Sequence, residues 1–258
     1  MNKNTQSKKL VSKSFSTKLH NQSKLIAQLP NKIKRYPDIW LRVYYKEYPR
    51  FPKILLPTEK KIKEVGLFST LMERRSIRKF KSNGIDFMTL SKLLYFSAGI
   101  KDLDKKDCVH KRTYPSGGAR YPLELYTIVL KGSEELPLGI YHYNVKLHAL
   151  HLLQKGKFTA LFKKTKISYG NTELISNSAI LLIITGVFGR TEIKYGKRSY
   201  RLVLFEAGHM AQNIYLVSTA LKLGCCAVGG FEDEKINSLL RLDEDKEQAL
   251  YMLALGTA

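Results

Sequence analysis

The sequence is short of cysteine, tryptophan and acid. It has three cysteines and one tryptophan in 258 residues, and 22 acidic residues against 44 basic ones. Cys108 stands alone while Cys225 and Cys226 are neighbours, which leaves no C-x-x-C pair and no Cys/His spacing of the kind that holds zinc. A disulfide-stapled secreted scaffold is excluded on the same ground, and no metal is expected. The adjacent pair lies in LGCCAVGGF, where cysteine reads as a small hydrophobe in a buried strand. Long apolar runs are missing as well. The longest, Ala179 to Phe188, is too short to span a bilayer and is interrupted by Thr185 and Gly186. The opening MNKNTQSKKLVSKSFSTKL carries lysines with no apolar stretch behind them, so the expectation is a cytoplasmic chain with no targeting segment and no membrane contact.

What is abundant is positive charge, a formal +22. A field of that sign attracts polyanions. The basic residues crowd into positions 1–66 and are scattered elsewhere, without the spacing of a helix-turn-helix, zinc-finger or RNP-type motif. Nucleic acid is therefore not the expected partner, and a composition rich in lysine, isoleucine, asparagine and tyrosine produces the same excess without any function. The apolar content of 44% is that of a chain with a real core.

The text divides near residue 58. Residues 1–30 are polar and aperiodic and read as a mobile basic arm. YPDIWLRVYYKEYPRFPKILLP, up to Pro57, is aromatic and broken by proline, so it reads as a segment packed on the surface of the main domain or of a partner subunit. Residues 58–258 read as that domain. Helical spacing runs from Ile62 to Arg74 and again from Phe87 to Ala98, with Asp86 as N-cap. A strand is expected at 123–130, a hairpin in GIYHYNVKLHALHLL, a helix at 157–166 and a central strand at 179–185. The longest helix, 199–223, is apolar nearly all round, which suits a domain or subunit interface. A strand at 225–228, a helix at 233–240 and a strand at 250–255 close an α+β order, one sheet covered by helices.

Four stretches carry residues suited to chemistry. ERRSIRKF holds Arg74, Arg75, Ser76 and Arg78; Arg74 and Arg78 share a face if the helix persists, and guanidinium groups beside a hydroxyl suit a phosphate monoester, although a solvated basic turn has the same residues. Ser116-Gly117-Gly118, between Arg112 and Arg120, is a permissive loop at the mouth of a core strand, suited to close approach of a ligand or simply to a sharp turn. In AVGGFEDEKI a strand ends at Gly229-Gly230, whose amides could face an anion or a ring nitrogen, and Glu232 or Asp233 caps the next helix. In TEIKYGKRSYR, Lys194 and Tyr195 could move protons if desolvation lowers their pKa values.

Taken in order, RRSIRKF, YPSGGARYPLELY, KYGKRSYR followed by EAGHMAQN, GGFEDEKINSLLRLD and YMLALG resemble the SagB-type dehydrogenases, the azoline-oxidising branch of the FMN-dependent nitroreductase superfamily. The resemblance runs from about Leu71 to Gly256 and implies a nitroreductase-like fold, a mixed or antiparallel sheet surrounded by helices, in a homodimer. It implies FMN as cofactor. Arg74 and Ser76, with Arg75, would serve its phosphate and ribityl chain, and Arg78 the pyrimidine edge. Ser116, Gly117 and Gly118 would run against the ring, and Gly229-Gly230 would offer an amide to N5. Lys194 and Tyr195 would be the acid/base pair that takes the Cα proton as a thiazoline or oxazoline in a ribosomal peptide becomes the azole. Gly208 and His209 are packing or interface residues in this reading. Members often end with a basic phosphate contact, whereas this chain ends LGTA, so Arg75, Arg198 or Arg201 would substitute. Cyclodehydratase subunits are the implied further partners, and the basic arm would attract an acidic leader peptide. The alternatives are an NAD(P)H-dependent nitro- or enone-reductase of the same fold and a flavin-less scaffold subunit.

Overall fold

The computed structural model describes residues 15–24, 37–40, 43–58, 64–104, 109–164 and 170–258. Its centre is a seven-stranded sheet in the order β1-β6-β5-β4-β7-β9-β8, every neighbouring pair antiparallel. The strands are β1 (Lys53–Leu55), β4 (Leu123–Val129), β5 (Gly139–Asn144), β6 (Ala149–Lys155), β7 (Ile180–Gly186), β8 (Leu223–Val228) and β9 (Gln248–Thr257). A separate hairpin joins β2 (Ile100–Asp104) to β3 (Val109–Arg112). The helices are α1 (Phe15–Gln22), α2 (Leu67–Glu73), α3 (Phe87–Ala98), α4 (Thr159–Lys164), α5 (Thr172–Asn177), α6 (Gly189–Tyr195), α7 (Ser199–Ala220) and α8 (Asp233–Leu240). Among the described residues no helix is long and apolar enough to cross a membrane.

Alternation along the strands builds two cores. On β4, Leu123, Leu125 and Val129 join Leu90, Leu93 and Leu94 of α3 and Val203, Met210 and Ile214 of α7. Tyr126 and Ile128 point the other way, to Phe162 of α4, Ile175 of α5 and Ile236 and Leu240 of α8. The sheet is thus covered on both faces, which is why its central strands carry no solvent side. Deleting a fully buried leucine such as Leu93 would cost about 2–5 kcal/mol.

Local signals set several boundaries. Asp86 caps α3, its Oδ1 accepting from the Thr89 amide at 2.9 Å. Asn144 closes the β5–β6 hairpin by accepting from the Leu147 amide at 3.0 Å. Two expectations need correction. Helix α2 stops at Glu73, because residues 74–81 instead lie against β8 and β9, where Ile77 N donates to Cys225 O at 3.0 Å and Lys81 N to Thr257 O at 2.9 Å. Arg74 and Arg78 therefore share no helical face. Glu232 stands at the N-cap of α8 but makes no capping bond; its carboxylate pairs with Lys235 at 2.6 Å instead.

Of the 1–30 stretch expected to be a mobile arm, residues 15–24 are described, and they form α1 docked on α7. Arg201 Nε donates to Ser23 Oγ at 2.7 Å, its Nη2 bonds His20 O, and Arg198 reaches Ser23 O at 3.4 Å. The rest of that stretch lies outside the described residues, as do Ile62 and Lys63 of the helix expected over 62–74, of which Leu67–Glu73 is helical. Lys53–Leu55 pairs with β6 and so joins the main sheet.

Candidate functional site

The sequence-predicted residues fall into two clusters on α7. The first surrounds Tyr215. Its hydroxyl accepts from Ala227 N of β8 at 2.7 Å and lies 3.2 Å from Ser76 Oγ, while the Arg74 guanidinium sits over its ring at 5.3 Å. Arg78 bends back to Ser76 O at 3.4 Å, and Arg75 braces the turn by donating to Met72 O and Arg74 O at 2.8 and 2.9 Å. Arg75 and Arg78 are exposed, Arg74 and Ser76 half-buried. Gly229 and Gly230 follow β8 directly, two and three residues beyond Ala227, and a Cβ placed on Gly229 would meet nothing. Arg198 and Arg201, expected as substitutes at a phosphate, are instead engaged with α1.

The second cluster forms around Gly118. Its φ of +62° is left-handed, a conformation glycine adopts without steric penalty. A Cβ there would also lie 2.5 Å from the Tyr195 hydroxyl and 2.9 Å from Lys194 Nζ. The Ser-Gly-Gly loop is therefore close against the Lys-Tyr pair at the end of α6, and a side chain at Gly118 would have to push the lysine and tyrosine tips aside. Lys194 Nζ stands 5.6 Å from the Tyr195 ring centroid, and both residues are half-buried. Ser116 Oγ accepts from Tyr121 N at 2.8 Å, and Gly117 N donates to Glu206 Oε1 at 3.0 Å.

Glu206 was not singled out in the sequence, although it is only 3% exposed. Burial pushes its carboxyl up to about 7, against the opposing pull of the Gly117 amide, the Ser116 hydroxyl and Arg112. The signal was present: Val203, Glu206, Ala207, Met210, Ala211 and Ile214 make one buried stripe on α7, and a lone acid on such a stripe needs a reason.

A separate network anchors α6. Arg190 pairs with Glu124 of β4 at 2.6 Å and donates to Tyr121 O at 3.2 Å, and the Glu124 carboxylate also meets His142 Nε2 at 2.8 Å. Burial alone would raise this carboxyl, but Arg190, His142 and Arg112 outweigh it and hold Glu124 down to about 2. Arg120 is buried and donates its Nε to Arg190 O at 2.8 Å; Arg112 is buried against Tyr45 and Tyr121. The arginines flanking the loop are thus structural. Cys225 and Cys226 are buried, and burial pushes the Cys225 thiol up to about 12, as suits a small core hydrophobe.

The two clusters face apart. Glu206 and Tyr215 are nine positions apart on α7, which at 100° and 1.5 Å per residue puts them on opposite sides and about 13 Å apart along the axis. Gly208 and His209 are exposed, on a helix that also exposes Tyr200, Leu204 and Phe205.

A sequence model described as the nitroreductase family matches residues 71–257. The chain belongs to the nitroreductase family. Within this family of oxidoreductases, a 200-residue stretch is 34% identical to MJ1384 of Methanocaldococcus jannaschii, a protein assigned to the nitroreductases; the match covers 76% of this chain and 92% of that one. The microcin B17-processing protein McbC of Escherichia coli is 28% identical over 165 residues, covering 63% of this chain and 58% of McbC. The chain thus matches little more than half the length of that relative. A solved E. coli microcin synthetase complex, McbBCD with truncated pro-MccB17 bound, contains the same nitroreductase fold, with a TM-score of 0.61 at 22% identity over 96% of this chain and 92% of that one. The resemblance to the SagB-type branch is borne out by these peptide-processing relatives.

Proposed function

We propose that this nitroreductase-family chain is an FMN-dependent dehydrogenase that oxidises thiazoline or oxazoline rings of a peptide to thiazole or oxazole. The observation that carries the reading is the contact of Gly118 with Lys194 and Tyr195, since it puts an amine and a phenol together at a loop that admits close approach. The likeness to McbC, which processes microcin B17, supports a peptide substrate.

The residues around Tyr215 fit FMN by their chemistry. Arg74 and Arg75 would supply cations and Ser76 a hydroxyl for the phosphate and ribityl chain, Arg78 would serve the pyrimidine edge, and the Gly229-Gly230 turn, open at Gly229, would present backbone amides. Bound there, FMN would supply the acceptor for the hydride that leaves the ring Cβ. Lys194 and Tyr195 take the Cα proton, and the Ser116–Gly118 loop holds the pair in place and excludes water from one side. Because the two clusters face apart on α7, one site needs both from different copies. A homodimer meets this requirement. Its contact would use the exposed Leu204 and Phe205 of α7 with Leu67, Phe68 and Met72 of α2. Residues 58–258 would be the flavin-binding domain, and cyclodehydratase subunits would be further partners.

The test is the purified protein incubated with an azoline-containing peptide under air. The expected result is bound flavin released as FMN on heating and loss of two hydrogens per ring by mass spectrometry. Lys194→Ala and Tyr195→Phe should keep the flavin and lose the oxidation. The 34% identity to MJ1384 favours a second reading, an NAD(P)H-dependent nitro- or enone-reductase. Rapid flavin reduction by NADPH with no azoline oxidation would establish it instead, and a protein that takes up no FMN would leave a scaffold subunit.

A further inference from the structure

We propose that Glu206 is a positioning residue whose carboxyl clamps the Ser116–Gly118 loop, so that its ionisation sets where Gly118 stands against Lys194 and Tyr195. The clamp is visible in the bonding. Glu206 reaches from α7 to take the Gly117 amide on Oε1, and the next residue, Gly118, is the one in contact with the Lys-Tyr pair. Ser116 completes it: its hydroxyl interacts with the Glu206 carboxyl while its oxygen accepts from Tyr121 N, tying the loop to the start of β4. Leu202, one turn earlier on α7, lies beside Gly117 next to the Glu206 carboxyl.

The second oxygen makes the clamp sensitive to charge. Glu206 Oε2 is buried and has no hydrogen-bond partner. Ionised, the carboxylate strengthens its hold on Gly117 N but leaves half its charge without a donor. Protonated, it avoids that penalty and binds the amide more weakly. The two states are brought close in free energy because burial favours one and the loop donors favour the other, and the balance leaves the carboxyl pushed up to about 7. Of the charged and titratable groups around it, Arg112 pulls the carboxyl down and Tyr114 feels its charge, while Lys194 and Tyr195 stand by Gly118, the residue after the bonded amide. A purely structural glutamate would be held in one state by a cation at contact distance, as Glu124 is by Arg190.

The proposal rests on the reading of Lys194 and Tyr195 as the proton-handling pair, but its test does not need turnover. With ¹⁵N-glycine-labelled protein, the Gly117 amide resonance should move as pH rises from about 5.5 to about 9, with a midpoint near the titration of Glu206. The isosteric Glu206→Gln variant keeps an oxygen for Gly117 N and cannot titrate, so its Gly117 resonance should stay flat. In turnover, Glu206→Gln should flatten the corresponding limb of the kcat profile, and Glu206→Ala, which releases the loop, should lower kcat by roughly tenfold or more. A Gly117 resonance that is flat in the parent protein, or that keeps its midpoint in Glu206→Gln, overturns the clamp. If the resonance titrates as expected while no azoline is oxidised, the clamp stands and the proposed reaction falls.

Discussion

Glu124 on β4 and Glu206 on α7 are 4% and 3% exposed, yet their carboxyls are driven in opposite directions, one down to about 2 and the other up to about 7. Burial is the largest influence on each and by itself would raise both. What separates them is the company they keep. Glu124 has a guanidinium at 2.6 Å and an imidazole at 2.8 Å, both nearly as buried as itself. Glu206 has an amide, a hydroxyl and a distant arginine. A buried charge with a cation at contact distance is locked and serves the fold; one whose nearest donors are neutral can change state under ordinary conditions and is available to a site. The two lie on either side of the same functional element, since Arg190 pins the start of α6 through Glu124 and the Glu206 loop meets its end at Lys194 and Tyr195.

The contrast breaks most readily at Glu124. Glu124→Ala leaves Arg190 buried without its partner and should lower stability by about 3–5 kcal/mol, read from the midpoint of urea unfolding. A loss below about 1 kcal/mol would mean that the pair is not the anchor of α6. A smaller effect, opposite in sign, is expected at Glu206. For Glu124, whose folded pKa lies below the ordinary 4.5, the stabilisation is present above that value and is lost as pH falls towards about 2. For Glu206, whose folded pKa lies above 4.5, stability is fully present below that value and is lost as pH rises through about 7. Glu206→Gln should therefore be more stable than the parent protein by about 1–3 kcal/mol at about pH 8 and no more stable at about pH 4. Equal curves at both ends would erase the difference between the two glutamates. The finest adjustment is Ser116→Ala. Removing a hydroxyl that favours the ionised carboxyl should raise the Gly117 titration midpoint by roughly half a unit, and an unchanged midpoint would take Ser116 out of the clamp.

Much of the framework was readable because it rests on local rules. Asp86 ahead of an apolar stripe, the Asn144 turn and the apolar strands at 123–129 and 180–186 each announce an element through capping, turn chemistry or periodicity. The misreadings share a cause: the deciding partner is remote in sequence. The spacing of Arg74 and Arg78 suits a helix, but Ile77 is drawn off by Cys225, about 150 residues away. Helix α1 has the polar text FSTKLHNQ, and its order comes from Arg198 and Arg201 rather than from a hydrophobic face. The candidate residues were found by resemblance as one set, and only the turn of α7 separates them into two. Glu206 stands in EAGHMAQN beside an exposed glycine and histidine, and its role depends on the Gly117 amide, about 90 residues earlier in the chain.

The place of β9 in the sheet has a consequence for how the molecule is made. The strand lies between β7 and β8 although it follows both in the chain, and residues 74–81 lean on Cys225 of β8 and on Thr257 of β9. During synthesis, β8 and the arginine-bearing segment must wait for Gln248–Thr257 to leave the ribosome before either has its final neighbour. Until then the growing chain holds the β4–β7 pair with one flank of β7 unfilled, an edge of the kind that recruits foreign strands. The group of residues expected to hold the cofactor is therefore not complete until β9 has paired, and the chain is most exposed to misassembly in the interval before that pairing.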